Sequence, residues 1–451
     1  MKKYDFLIIG GDAAGMSAAS QARRTDERMS IAVLEKGEHV SYAACGIPYY
    51  IGGDIDDAKS LIAIDRKDYE VKRNIEIRTG TEATSVNFEA RTVSIQSREG
   101  SDTLAFEKLL IASGARPFIP PIRGIDIEGV FCLRDLADGI AIKNYLSKRK
   151  PRTGIIIGGG FIGLEMAEAM RKLGMKTLII EKLMSVAMSM SPDVRNLITS
   201  TLKDNGVDIH TGVTVESIDS IRDGLLLHTD GGSFEGDFIL ASAGIVPNTD
   251  FLKTGGPAMT DRGAVIVDEK SRTDIPGVYA AGDCATVKNL ITGRDVYMPL
   301  GTTANKQGRV AGLHAAGIES ETFRGIVGSQ MVKVFDLEVG KTGLNEEDAL
   351  REGITPERSS VVWKSKAGYC PDAARIYIEL TINADTRAII GGEAAGTDGA
   401  ALRSNVIAAA VTAGMVIEDV AYMDLGYAPP FSPVWDPINA AAQKLLKRRP
   451  T

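Results

Sequence analysis

A glycine-rich turn that joins a short apolar strand to a helix of small residues opens this chain, and it constrains the fold more than any other feature. The strand is predicted over residues 4–9, and the turn runs from Gly10 to Gly15. A helix and a second strand follow, and that strand ends at Glu35. Glycine permits the tight turn, a pyrophosphate lies at the positive end of the helix, and the acid accepts a hydrogen bond from a ribose hydroxyl. The segment predicts a dinucleotide-binding βαβ unit in which Asp12 replaces the middle glycine.

A second copy of the same pattern begins near residue 155. It keeps all three glycines, Gly158, Gly160 and Gly163, and its second strand ends at Glu181. A carboxylate here accepts from a ribose 2′-hydroxyl and repels a 2′-phosphate, which favours NADH over NADPH. The neighbouring Lys182 softens that preference. The chain is therefore predicted to bind two dinucleotides.

Two strands that end in proline turns flank the second copy. One lies in residues 109–117 and the other in residues 240–248, and each is a natural crossing point between domains. Residues 273–283 then predict a short strand that leads to Asp283 at the start of a helix. Such an aspartate caps a helix or accepts a hydrogen bond from a sugar or ribityl hydroxyl.

The composition excludes several classes of protein. A net charge of -7 gives no general attraction to nucleic acid or to an anionic membrane. The longest apolar stretch, residues 155–170, is broken by glycines and contains Glu165, so no membrane span is predicted. The cysteines do not have the spacing typical of zinc sites or of thioredoxin-like sites, and no metal site is expected. These features, with no predicted signal segment, favour a cytoplasmic protein in a reducing compartment. The four cysteines are at positions 45, 132, 284 and 370.

Cys45 is the candidate redox residue because it lies about ten residues beyond Glu35, beside the first predicted nucleotide. With Gly46 and Pro48 following, it is predicted to open a helix. The positive end of a helix stabilises a thiolate, so a lowered thiol pKa is expected. The sequence therefore predicts redox chemistry at this sulfur.

Taken together, these motifs resemble the FAD-dependent pyridine nucleotide-disulfide oxidoreductase family over essentially the whole chain. The resemblance implies that the first βαβ unit binds FAD, that the second binds NADH or NADPH, and that the C-terminal domain forms a homodimer. By position, the residues implied for FAD are Gly10, Gly15, Glu35, Arg134 and Asp283, and those for the nicotinamide cofactor are Gly158, Gly160, Gly163 and Glu181.

The architecture implied is an α/β fold with two Rossmann-like dinucleotide-binding domains and a C-terminal α+β dimerisation domain. The FAD-binding domain is predicted over residues 1–115 and 245–325. The NAD(P)H-binding domain is predicted over residues 116–244, and the dimerisation domain over residues 326–451.

Within the family, the chain resembles the branch that has a single cysteine. Most members have a second cysteine five residues after the first, and here Tyr50 occupies that position. NADH peroxidases and many NADH oxidases have a histidine where this chain has Ala13, which counts against those activities. The run from Cys45 to Gly53 instead resembles coenzyme A-disulfide reductases and their persulfide- or sulfur-reducing relatives.

The C-terminal portion resembles the same branch. Residues 366–371 and 426–437 are similar to segments that bring two tyrosines across a dimer interface to the active-site sulfur, and Tyr369 and Tyr427 occupy those positions. Cys370 follows where relatives often have another tyrosine. It is a candidate exchange thiol for Cys45 of the other subunit, or a packed bystander.

Coenzyme A carries phosphates, so a basic fringe is expected near its site. Relatives often have asparagine before the cysteine, and Ala44 loses that polar contact. The substrate residues implied by family position are Ser17, Gln21, Arg24, Ser41 and Arg73.

The function implied is a flavin-dependent NAD(P)H oxidoreductase that reduces coenzyme A disulfide, coenzyme A persulfide or polysulfide through a mixed disulfide at Cys45. Two alternatives remain open. The first is an NADH oxidase that passes electrons to oxygen, and the second is an electron-transfer flavoprotein that serves a partner protein. The predicted partners are a small disulfide or persulfide and a second copy of the chain, with no nucleic acid and no membrane.

Overall fold

A computed structural model of the chain describes residues 1–252 and 255–447. The last four residues of the predicted dimerisation domain lie outside this range. In the described part of the chain, no helix is both long and apolar enough to cross a membrane.

The N-terminal part forms most of a seven-stranded sheet with the order β3-β2-β1-β6-β5-β4. The parallel strands of this sheet include β1, β2, β3 and β6. The apolar β1 pairs with β2 on one side and with β6 on the other, and its C-terminal half is buried. The predicted βαβ unit is present, and its helix begins inside the glycine turn, at Ala13. The elements are β1 (Lys3–Ile9), α1 (Ala13–Thr25), β2 (Ile31–Leu34), α2 (Ile47–Gly52), β3 (Glu76–Arg78), β4 (Glu82–Asn87), β5 (Thr92–Ser97) and β6 (Gly100–Ile111).

The middle part forms a five-stranded parallel sheet with the order β11-β10-β9-β15-β8 and a three-stranded antiparallel sheet, β12-β13-β14. The two predicted crossing segments, β7 and β16, pair with each other, with Arg116 opposite Val246. The elements are β7 (Ala115–Pro117), β8 (Val130–Cys132), α3 (Leu136–Arg149), β9 (Thr153–Ile157), α4 (Phe161–Lys172), β10 (Lys176–Glu181), α5 (Pro192–Asp204), β11 (Val207–Thr211), β12 (Val215–Ile221), β13 (Gly224–Thr229), β14 (Gly232–Gly236), β15 (Phe238–Ala241) and β16 (Ile245–Pro247).

The chain then returns to the first sheet. Strand β17 pairs in parallel with β6, and α6 packs on α1 so closely that a Cβ on Gly308 would lie 2.2 Å from the Ala14 carbonyl oxygen. The predicted helix start at Asp283 is wrong: this residue lies in a turn, because the chain first makes a short hairpin before the next helix begins at Gly301. The elements are β17 (Val278–Ala280), β18 (Val287–Lys288), β19 (Asp295–Val296) and α6 (Gly301–Ala315).

The C-terminal part is an antiparallel sheet with the order β20-β21-β24-β23-β22, and α8 and α10 pack against it. It also presents an aromatic surface, in which Tyr369 is 75% exposed and Phe431 is 79% exposed. The elements are β20 (Gln330–Val334), β21 (Leu337–Gly343), α7 (Glu346–Arg351), β22 (Pro356–Lys364), β23 (Arg375–Asn383), β24 (Ile389–Gly396), α8 (Ala400–Thr412), α9 (Ile417–Ala421) and α10 (Pro437–Leu446).

Candidate active site

The first glycine turn has a shape that only glycine permits. Gly10 has a φ of +107°, and a Cβ on it would lie 2.0 Å from the Ala112 carbonyl oxygen. A Cβ on Gly15 would lie 1.9 Å from the Gly10 carbonyl oxygen. The N-terminus of α1 is therefore held against the end of β1, where its backbone N–H groups can receive a pyrophosphate. Glu35 is fixed at the edge of this turn, because its carboxylate accepts from the backbone N–H groups of Gly11 and Gly37, each at 2.7 Å.

The second turn repeats this geometry. Gly158 has a φ of +109°, and a Cβ on Gly163 would lie 2.1 Å from the Gly158 carbonyl oxygen. Glu181 accepts from the backbone N–H groups of Gly159 and Leu183, at 2.6 Å and 2.7 Å. A Cβ at Gly160 would have no described atom within 4 Å, so the protein leaves this position open to a ligand. Both turns fit the diphosphate and ribose of a dinucleotide.

Arg134 and Asp283, which the resemblance assigns to FAD, form an ion pair with each other. The Arg134 guanidinium donates to the Asp283 carboxylate at 3.0 Å and to the Ala115 carbonyl at 2.7 Å. The Tyr297 hydroxyl donates to the Asp283 backbone carbonyl at 3.1 Å. Tyr297 was not predicted at this site, because nothing in its local sequence pattern separates it from an ordinary turn residue.

Cys45 lies in the one-turn 3₁₀ helix Ala44–Gly46, directly before α2. Close packing holds this turn, since a Cβ on Gly46 would lie 2.4 Å from the Leu61 Cδ2 atom. The Lys143 ammonium holds the other end of α2, donating to the Tyr50 carbonyl at 2.7 Å and lying 3.8 Å from the centre of the Tyr50 ring. Helix α2 thus has fixed positions at both ends, and the thiol remains accessible to solvent.

The expected lowering of the Cys45 pKa is wrong for the cofactor-free chain. Loss of solvation raises the pKa of the thiol above its usual 9.0, and the carboxylates of Glu165, Asp283 and Asp12 raise it further, whereas Arg134 lowers it. The thiol is accessible, yet enough protein surrounds it to reduce its hydration. Helix α2 has only six residues, and its dipole does not outweigh these effects.

Glu165 is the strongest electrostatic neighbour of this thiol and is itself perturbed. Desolvation, with the nearby Glu168 carboxylate, raises the pKa of Glu165 to about 7. In cofactor-free protein we expect alkylation of Cys45 by iodoacetamide to follow a thiol pKa above 9, and Glu165→Gln to lower that pKa. The alkylation rate at pH 8 should therefore rise, since a larger fraction of Cys45 is then thiolate. Quantitative mass spectrometry of the Cys45 peptide measures the rate.

Glu235→Gln is the matched control, because Glu235 is an exposed carboxylate of the same middle part of the chain. This control should leave the Cys45 rate unchanged. An identical pH profile for Glu165→Gln and the unaltered protein would contradict the electrostatic account.

Most of the substrate residues implied by family position lie along one region of α1. Ser17 donates to the Asn305 side-chain oxygen at 2.7 Å, and Arg309 donates to the Gln21 side-chain oxygen at 2.5 Å. Arg24, a turn further along, is exposed. Asn305 and Arg309 belong to α6 and were not predicted, because only the packing of α6 on α1 brings them here.

A second set of polar contacts adjoins this region of α1. Arg73 donates to the Ser20 hydroxyl at 2.7 Å and lies 4.9 Å from the centre of the Tyr69 ring. The Tyr69 hydroxyl donates to Ser41 at 3.0 Å. Together these contacts extend from α1 to Ser41, in the segment that precedes Cys45.

Tyr369 and Tyr427 are adjacent on the exposed aromatic surface, with their hydroxyl oxygens 3.4 Å apart. The hydrogen bond between the two hydroxyls raises the pKa of Tyr369 above its usual 10.0, so Tyr369 stays protonated at neutral pH. Cys370 is half-buried, and its sulfur lies 3.4 Å from the Pro429 carbonyl oxygen. Cys284 is fully buried below the Asp283 turn.

Two family profiles cover most of the chain. One, described as pyridine nucleotide-disulphide oxidoreductase, matches residues 4–308. The other, described as the dimerisation domain of the same proteins, matches residues 329–437.

Curated relatives match over nearly the full length. A CoA-dependent NAD(P)H sulfur oxidoreductase from Pyrococcus furiosus is 36% identical over 99% of this chain and 100% of its own. A protein named NADH oxidase from Methanocaldococcus jannaschii is 33% identical over 98% of both chains. A coenzyme A disulfide reductase from Staphylococcus haemolyticus is 26% identical over 97% of this chain and 98% of its own.

A solved structure shows the same fold. The NAD-dependent persulfide reductase from A. fulgidus superposes with a TM-score of 0.95 and is 35% identical, covering 98% of this chain and 83% of that one.

Proposed function

Because this chain belongs to the pyridine nucleotide-disulphide oxidoreductase family and is an FAD-dependent NAD(P)H oxidoreductase, we propose that it reduces sulfur bound to coenzyme A at Cys45. The observation that carries this proposal is the position of the thiol. The charged groups that act on it include Asp12 of the first glycine turn and Glu165 of the helix that follows the second, and α2 carries a buried Tyr50 rather than a second thiol. A lone thiol that attacks a disulfide forms a mixed disulfide with it.

Each glycine turn is proposed to bind a different cofactor. Gly10, Gly15 and Glu35 would hold the diphosphate and adenosine ribose of FAD, while Arg134 and Asp283 would hold its ribityl side. Gly158, Gly160, Gly163 and Glu181 would hold the nicotinamide cofactor. Glu181 favours NADH, because a 2′-phosphate would meet a carboxylate already oriented by two backbone N–H groups. Bound FAD supplies a two-electron carrier between the nicotinamide and the sulfur.

Cys45 performs the exchange chemistry. Its thiolate attacks one sulfur of coenzyme A disulfide, forming a Cys45–coenzyme A mixed disulfide and releasing one coenzyme A thiolate. Two electrons from NADH then cleave the mixed disulfide, which restores the Cys45 thiolate and releases the second coenzyme A. With coenzyme A persulfide, attack on the coenzyme A sulfur forms the same mixed disulfide and expels sulfide. Attack on the outer sulfur instead forms a Cys45 persulfide and releases the coenzyme A thiolate, and two electrons from NADH then release sulfide and restore the Cys45 thiolate.

Tyr369 and Tyr427 are proposed to stabilise the leaving thiolate. Their hydroxyls are adjacent, and their exposure suits contact with Cys45 of the other subunit in a homodimer. The dimerisation domain supports such an assembly. Cys370 would then lie close to the same interface.

Coenzyme A is proposed to lie along α1 and α6. Ser17 and Gln21 present polar groups there, and Arg24, Arg73 and Arg309 supply positive charge for its phosphates. Ser41, which accepts a hydrogen bond from Tyr69, extends this polar region to the segment before Cys45.

The names of the relatives favour persulfide or sulfur over coenzyme A disulfide as the acceptor. The CoA-dependent sulfur reductase shares 36% of its residues, whereas the coenzyme A disulfide reductase shares 26%. The M. jannaschii relative keeps NADH oxidase as a second candidate. Ala13 disfavours it, because a methyl group beside the turn offers no proton to oxygen or peroxide.

The mixed disulfide is the species to isolate. We expect protein in which Cys45 is a free thiol and the flavin is oxidised, incubated with coenzyme A disulfide and no NADH, to gain the mass of one coenzyme A per chain on the Cys45 peptide. A thiol reductant should remove it. Adduct on Cys370 and none on Cys45 would contradict the proposed nucleophile.

A further inference from the structure

Of the six positions at which the two turns are expected to have glycine, only position 12 has another residue, and neither cofactor assignment explains this aspartate. It occupies the position that Gly160 holds in the second turn, where the protein leaves room for a side chain. Asp12 is the N-cap residue of α1, yet its side chain accepts no capping hydrogen bond there. It therefore lies at the end of the helix that receives the FAD pyrophosphate.

The carboxyl group of Asp12 is poorly satisfied. Its Oδ1 atom is buried and finds no hydrogen-bond partner within residues 1–252 and 255–447. Burial, together with the Glu35 carboxylate, raises the pKa of Asp12 to about 6, although Arg134 and the backbone N–H groups of Tyr42 and Ala13 act to lower it. Arg134 is itself paired with Asp283. A negative pyrophosphate would add a second repulsive charge at this position.

We propose that Asp12 binds the FAD pyrophosphate as a neutral carboxylic acid, so that FAD binding takes up one proton at this side chain. The proton comes from the solvent, and the hydroxyl it creates donates to a pyrophosphate oxygen. At pH 7.5 an acid with a pKa of about 6 is protonated in roughly 3% of cofactor-free molecules, so uptake on binding is close to complete. FAD affinity should therefore fall as the pH rises above 6.

Calorimetry of FAD binding to the deflavinated full chain tests this proposal. Titrations at pH 7.5 in phosphate and in Tris, which differ in ionisation enthalpy, give the number of protons taken up. We expect about 0.5 to 1 proton for the unaltered protein and close to zero for Asp12→Asn, which keeps the shape of the side chain and donates without a proton. The asparagine variant should bind FAD at least as tightly at pH 8.5.

Glu35→Gln is the control, because Glu35 is the other perturbed carboxyl at this turn. It should weaken FAD binding and leave the proton uptake in place. Uptake that persists in Asp12→Asn, or that disappears in Glu35→Gln, would overturn the proposal. If Asp12→Asn does not bind FAD, the unaltered protein decides: affinity that falls up to tenfold per pH unit above pH 6 supports the proposal, and affinity independent of pH overturns it.

Discussion

Replacing Cys45 with serine is expected to abolish NADH-dependent reduction of coenzyme A disulfide and persulfide, with a loss on the order of 10³-fold or more. A hydroxyl in place of the thiol cannot form the mixed disulfide through which the electrons must pass. The flavin absorbance should remain, because the glycine turns and the Arg134–Asp283 pair do not involve Cys45. Steady-state rates under argon, measured with each acceptor, test this expectation.

Cys370→Ser is the matched control, since it changes the same atom in a half-buried loop of the C-terminal domain. A bystander predicts nearly full activity, whereas an exchange thiol predicts a loss comparable to that of Cys45→Ser. Retention of turnover in Cys45→Ser would instead favour the electron-transfer flavoprotein or the oxidase.

A pair of glycine-to-alanine variants should distinguish the cofactors that the two glycine turns bind. Gly15→Ala places a Cβ 1.9 Å from the Gly10 carbonyl oxygen, and Gly163→Ala places one 2.1 Å from the Gly158 carbonyl oxygen. In each case backbone must move, at a cost of about 1–3 kcal/mol, and the helix N-terminus withdraws from its diphosphate. We expect Gly15→Ala to lose FAD, and Gly163→Ala to keep FAD but lose most of its reduction by NADH.

Each variant is the control for the other, because the chemical change is the same in both. Flavin absorbance of the purified proteins reports FAD binding, and stopped-flow reduction by NADH reports the second turn. Dithionite should still reduce the flavin of Gly163→Ala. Loss of FAD from Gly163→Ala, with normal FAD in Gly15→Ala, would reverse the cofactor assignment.

Much of this architecture could be predicted from the sequence, because it depends on local rules. Glycines at fixed spacing and an acid at the end of the next strand specify the same turn wherever they occur, and both copies have it. The pairing of β7 with β16 also agrees with two proline-ended strands that cross between domains. The domain limits near residues 115, 245 and 326 stay predictions.

The rest depends on contacts between distant segments. The sequence predicts the Cys45 pKa in the wrong direction, because it shows the helix after the thiol but neither the loss of solvation on folding nor the Glu165 carboxylate that α4 brings near. Asn305 and Arg309 join Ser17 and Gln21 only through the close packing of α6 on α1. Asp283 was placed at a helix start, because a hairpin with two residues per strand leaves almost no sequence pattern.

The most direct test of the proposed sulfur reduction is the initial rate of NADH oxidation under argon with each acceptor in turn. Coenzyme A persulfide and coenzyme A disulfide should each support turnover, and polysulfide should require added coenzyme A. Air without any sulfur compound should give only a slow background rate. Rapid NADH oxidation by oxygen, with no response to any coenzyme A compound under argon, would contradict this function and identify an oxidase.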